Sequence, residues 1–299
     1  MLRTEYLFQD KGTVCPESLS DYDTLDLLSG GEHIYGEILW PDGTYRAPRP
    51  CVIMLHGFPG SARNDDIAHA LCRIGCVVIV PHHRGAWGSE GKYLISHCIE
   101  DAVNLAEYAR SEGFCRKYHV SPDHIFLSGH SMGGCISLNT GKMLPWLKGL
   151  ILITPFDPTR YLTPQKLPLL RELLEQGRVL QSDGSEEIYK DIEKNRDDLA
   201  FPAAFDAVKD RNILILAGVY DSCAPIAEMV TPLWSLLSAY PTKAIRRLCT
   251  YPAEHGLLGR RITAITDIAA FLADICNPPE DGTPDGTAQC RAPHGWGGQ

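Results

Sequence analysis

The chain has 299 residues, enough for one large domain with a substantial buried core or for two small ones. Its formal net charge is −9 and it has no clustered run of Lys or Arg, which argues against a polyanionic partner such as nucleic acid. No apolar run approaches the length needed to span a bilayer, so no membrane partner is expected.

The first ten residues, Met1–Asp10, carry Arg3 and Glu5 and no long apolar core, so they do not read as a secretory signal. The eleven cysteines are scattered without a C-x-x-C pair, and the expected setting is a reducing cytoplasm. Residues 1–50 alternate polar and apolar positions between turn signals. They predict two or three antiparallel strands at one sheet edge, one of them over Ile34–Trp40. Cys51–Leu55 is a continuous apolar run, as a strand buried on both faces requires. A helix over 62–73 leads to a second buried strand at Cys76–Val80, and a helix over 96–112 follows. Ile125–Leu127 is a third such strand, followed by a helix over 132–144, and Leu150–Ile153 is a fourth. Ile213–Leu216 is a fifth, followed by a helix over 226–237, a short strand over 247–250 and a last helix over 261–275. Strands alternating with helices predict a mostly parallel sheet with helices on both faces.

The connection between the fourth and fifth buried strands is far longer than a plain crossover needs. Its excess holds helical stretches of its own at 166–176 and 186–195. Residues of about 157–200 therefore read as a small helical cap over the carboxyl edge of the sheet. The expected organisation is one domain over 1–276 followed by a Gly- and Pro-rich flexible tail over 277–299.

The chemistry centres on Gly129-His130-Ser131-Met132-Gly133, which fits G-x-S-x-G between a strand and a helix. So strained a turn needs small flanking residues, which Gly129, Gly133 and Gly134 supply, and it leaves the Ser131 hydroxyl standing at the end of the strand. His56-Gly57-Phe58-Pro59-Gly60, after the first buried strand, resembles the H-G-x-x-G loop that supplies half of the oxyanion hole in α/β hydrolases. The backbone N–H groups of Phe58 and Met132 are the expected donors to a developing oxyanion. His56 is expected to organise the loop rather than to react. In this fold the order along the chain is Ser, acid, His. Only His255 and His294 follow Ser131, and His294 falls in the Gly-rich stretch, so His255 is the expected base. Asp221, just after the strand at 213–216, is the expected acid, with Asp157 as the alternative.

Across roughly residues 30–275 the chain thus resembles the α/β-hydrolase superfamily. The segment His82–Gly91 resembles a loop of feruloyl and cinnamoyl esterases, and the corresponding loop of the prolyl oligopeptidase family. Trp87 replaces the small residue common there and either lines the acyl pocket or packs within the loop; His130 is the other candidate for pocket lining. Arg84 is expected to brace the loop. The resemblance implies the α/β-hydrolase fold and a Ser-His-Asp carboxylesterase acting on a small-molecule ester through an acyl-enzyme. The alternatives are a prolyl-oligopeptidase-like peptidase with a peptide substrate, an acyltransferase or thioesterase, and a non-catalytic binding protein. His82, His83, His97 and Cys98 lack metal-ligand spacing, so no metal is expected, and no cofactor is expected either. The sequence leaves the oligomeric state open, a homodimer included.

Overall fold

Eight strands form one sheet in the order β1-β2-β4-β3-β5-β6-β7-β8 in a computed structural model that describes residues 1–277. The tail expected over 277–299 lies, apart from Asn277, outside the described residues. β1 (Asp21–Ser29) and β2 (Glu32–Trp40) are the antiparallel pair foreseen at one edge, and β2 also runs antiparallel to β4. β3 (Arg49–Leu55), β4 (Val77–Pro81), β5 (Val120–His130), β6 (Gly149–Ile153), β7 (Asn212–Gly218) and β8 (Arg246–Tyr251) are parallel.

The central strands have every side chain buried because helices cover both faces, and their period of two divides the apolar residues between two cores. Ile53, Leu55, Leu127 and Leu152 point into one core, with α2 (Ile95–Arg110) and α4 (Met132–Met143) supplying Leu105 and Ile136. Val52, Met54, Phe126 and Ile151 point into the other, with Leu71 of α1 (Asp65–Arg73) and Ile268 of α11 (Arg261–Cys276).

Two helices differ from the sequence expectation. The one foreseen over 96–112 stops at Arg110, because Ser111 turns extended and its hydroxyl caps α3 (Glu112–Tyr118) by accepting from the Phe114 N–H at 3.3 Å. The one foreseen over 226–237 is two, α9 (Ile226–Met229) and α10 (Thr231–Ala239). Pro232 in the first turn of the second has no N–H to offer to the preceding turn.

The long connection carries α5 (Leu167–Glu175), α6 (Ser185–Lys194), α7 (Arg196–Leu199) and α8 (Phe205–Val208), with 3₁₀ turns between them. It fastens to loops at the carboxyl ends of the parallel strands. Gln181 exchanges backbone bonds with Gly85 and Tyr93, at 2.8 and 2.7 Å. Asp191 of α6 accepts from the Ser96 N–H and hydroxyl, giving the first turn of α2 the carboxylate that its own N-cap position, Leu94, lacks. Gly177 lies so close to the Phe58 ring that a Cβ would sit 2.5 Å from Phe58 Cζ.

The order in which strands are added reverses around β3: the next strand, β4, lies on one side of it and β5 on the other. In open α/β sheets the crevice at such a switch point, outside the carboxyl ends, is where ligands bind. Leu55 and Gly129 are paired in register, so the turns that follow them, at His56 and at Ser131, emerge side by side. Among the described residues no helix is long and apolar enough to cross a membrane.

Candidate active site

Ser131 stands between β5 and α4 with φ +56 and ψ −119, a conformation that costs a non-glycine residue about 1–3 kcal/mol. The flanking glycines make it attainable. A Cβ on Gly129 would meet the Gly133 carbonyl oxygen at 2.0 Å, and one on Gly133 would meet that of Leu55 at 2.3 Å. The turn is held by the Ser131 N–H donating to Ile153 O (2.9 Å), while Ser131 O accepts from Gly134 and Phe156. Met132 is the first residue of α4, where backbone N–H groups have no partner within the helix.

The Ser131 hydroxyl lies 2.8 Å from His255 Nε2, and His255 Nδ1 lies 2.8 Å from Asp221 Oδ2. A carboxylate only accepts, so Nδ1 carries a proton, and in its neutral form the ring turns its Nε2 lone pair to Ser131. The other Asp221 oxygen accepts from the backbone N–H groups of Cys223 (2.9 Å) and Ala224 (2.7 Å). Burial works against both charges, but the mutual hydrogen bond prevails: Asp221 is held below the usual carboxylate range and His255 above the usual imidazole value. The alternative acid, Asp157, is spent elsewhere. It accepts from the Thr159 N–H and hydroxyl and from the Phe201 N–H, tying together the two ends of the long connection, and burial raises its pKa.

His56 is buried, and burial pushes its pKa far below the usual imidazole value. Its Nδ1 lies 2.8 Å from Gly57 O and its Nε2 accepts from the His83 N–H at 3.2 Å, which fixes both the tautomer and the loop. Behind it, Asp101 accepts from the Arg84 N–H and Nε and from the Ser29 hydroxyl, all at 2.6–2.8 Å. Arg84 Nη2 donates to His97 O at 2.9 Å and pairs with Glu100. The buried Arg84 guanidinium therefore braces the loop after β4, as expected.

Phe58 packs its ring 5.6 Å from that of Tyr93. Trp87 has φ +50, is 42% exposed and donates from Nε1 to Pro59 O at 3.0 Å, so it lies against the His56–Gly60 loop. His130 is nearly buried, and burial lowers its pKa to about 4; its Nε2 is 3.3 Å from His255 O. Sequence reasoning missed Thr154, whose hydroxyl donates to the same carbonyl at 2.9 Å, and also Asp101 and Asp191. No local pattern marks these three; each matters through a partner distant in the chain.

The family model described as "Serine aminopeptidase, S33" matches residues 46–203. Among curated proteins the chain is similar to monoglyceride lipase of Mus musculus, 28% identical over 144 residues that make up 47% of this chain and 45% of that protein. The human monoglyceride lipase is 26% identical over 147 residues, with the same shares. The chain thus spans about half the length of these relatives. Among solved structures, brefeldin A esterase, described as a bacterial homologue of human hormone sensitive lipase, superposes with a TM-score of 0.64 at 15% identity, over 91% of this chain and 82% of that one. Est1E from Butyrivibrio proteoclasticus with ferulic acid bound gives 0.61 at 16% identity, over 85% and 99%. At such identities these superpositions establish the α/β-hydrolase fold. The family pattern runs from just before β3 through the elbow at Ser131 into the long connection, more than half of the chain, and ends before Asp221 and His255. On that match the chain belongs to the serine aminopeptidase S33 family, whose model takes in both the His56–Gly60 loop and Ser131.

Proposed function

We propose that the chain is a serine hydrolase that cleaves carboxylic esters through an acyl-enzyme on Ser131. The observation that carries this reading is the continuous hydrogen-bonded line from the Ser131 hydroxyl through His255 to Asp221. His255 Nε2 takes the Ser131 proton as Oγ attacks the ester carbonyl carbon. The N–H groups of Phe58 and Met132 receive the oxyanion. Asp221 holds the ring and stabilises its charged form. His255 then gives the proton to the leaving alcohol, and a water activated by the same imidazole releases the acid. The long connection, residues of about 157–200, acts as a cap: its Gly177 packs on Phe58 and its Gln181 is stitched to the loop after β4.

An aminopeptidase would need a carboxylate free to hold the substrate amine. Asp157, the buried carboxylate just after β6, has both oxygens occupied by the fold. Purified protein offered p-nitrophenyl esters, aminoacyl p-nitroanilides and acyl thioesters side by side tests this. Ester turnover without anilide turnover supports the reading. Preference for the anilides would transfer it to peptidase chemistry, and preference for the thioesters to thioesterase chemistry.

A further inference from the structure

Thr154 directly follows β6 with φ +39, a left-handed backbone that a β-branched residue adopts only under strain. Glycine would sit there at less cost, so the side chain calls for a reason. Its hydroxyl supplies one by donating to the carbonyl oxygen of His255 at 2.9 Å. His130 Nε2 approaches the same carbonyl at 3.3 Å, and its ring lies 5.0 Å from the His255 ring.

Thr154 is itself firmly held. It is buried, its N–H donates to Leu216 O of β7 at 2.7 Å, and two residues on the Phe156 N–H donates to Ser131 O at 3.0 Å. The anchor on His255 is thus tied to the sheet and to the elbow. The His255 loop is a short irregular connection from β8 towards α11.

The imidazole is oriented by one bond at each nitrogen. The bond to Ser131 is lost once Oγ is acylated, since the ester oxygen no longer has a proton to give. The ring must nevertheless keep its place to activate water. We infer that Thr154 is a positioning residue whose hydroxyl, with His130 as second contact, fixes the His255 main chain so that the imidazole stays aligned through the acyl-enzyme. This rests on the reaction proposed above.

The test compares Thr154→Val, Thr154→Gly and Thr154→Ser with wild type and Ser131→Ala, using p-nitrophenyl butyrate to obtain kcat and KM and thermal unfolding to check the fold. Val and Gly remove the hydroxyl; deacylation slows, so kcat is expected to fall by about tenfold to a hundredfold with KM falling alongside it and kcat/KM much less affected. Ser keeps the hydroxyl and should retain most of the wild-type kcat. Gly also relieves the backbone, so it decides the matter if the Val variant does not fold. A folded Gly variant with wild-type kcat, or a Ser variant as impaired as Gly, would overturn the positioning role. An inactive Ser131→Ala beside a fully active Thr154→Gly overturns that role alone. Full turnover by Ser131→Ala overturns the underlying triad reading whatever the Thr154 variants do.

Discussion

The hydroxyl of Ser131 and the Nε2 of His255 lie 2.8 Å apart across 124 positions of chain. They stand on turns that follow β5 and β8, strands with β6 and β7 between them in the sheet. The two residues can meet because parallel strands deliver all their carboxyl ends to one edge. The pair is therefore a product of topology.

Asp221→Asn should lower kcat by roughly a thousandfold or more, because an amide no longer holds the His255 tautomer or stabilises its cation. The pH profile should move as well. Asp221 keeps the His255 pKa above its usual value, and the ring acts as a base only when neutral. Losing the carboxylate lowers that pKa, so the acid limb of kcat/KM should shift to lower pH while the maximum falls. An acid limb that stays in place would show that Asp221 does not set the pKa of the titrating base.

His56→Phe keeps an aromatic ring but loses the bonds to Gly57 O and the His83 N–H. Under the proposed mechanism, the loop that offers the Phe58 N–H to the oxyanion then loses its anchor. A fall in kcat of about a hundredfold with KM nearly unchanged is expected from steady-state kinetics. Wild-type kcat in a folded variant would remove His56 from the account.

Asp101→Ala should cost stability more than chemistry. It leaves the buried Arg84 guanidinium without its main partner, a change worth about 3–5 kcal/mol. Glu100, half exposed, still pairs with Arg84, so the lower end of that range is expected. Urea unfolding would measure the loss, and an unchanged midpoint would contradict it.

The sequence shows most plainly what the solvent dictates. Strands buried on both faces read as unbroken apolar runs, so β3, β4, β6 and β7 are visible without any partner. The elbow is visible because its strain demands glycines at fixed positions, and His255 because few histidines follow Ser131. Features that depend on contact across the fold are not visible. Asp191 caps a helix 95 positions earlier, and nothing near Thr154 announces a left-handed backbone. The break at α9–α10 was legible in Pro232, and the start of α3 in Ser111, but an apolar periodicity running through both masked them.

Fluorophosphonate labelling of wild type and Ser131→Ala, read by intact mass, tests the nucleophile most directly. One adduct on the wild type and none on the folded Ser131→Ala variant is the predicted result. Equal labelling of the two proteins, or a folded wild type that takes no label, would contradict an activated Ser131.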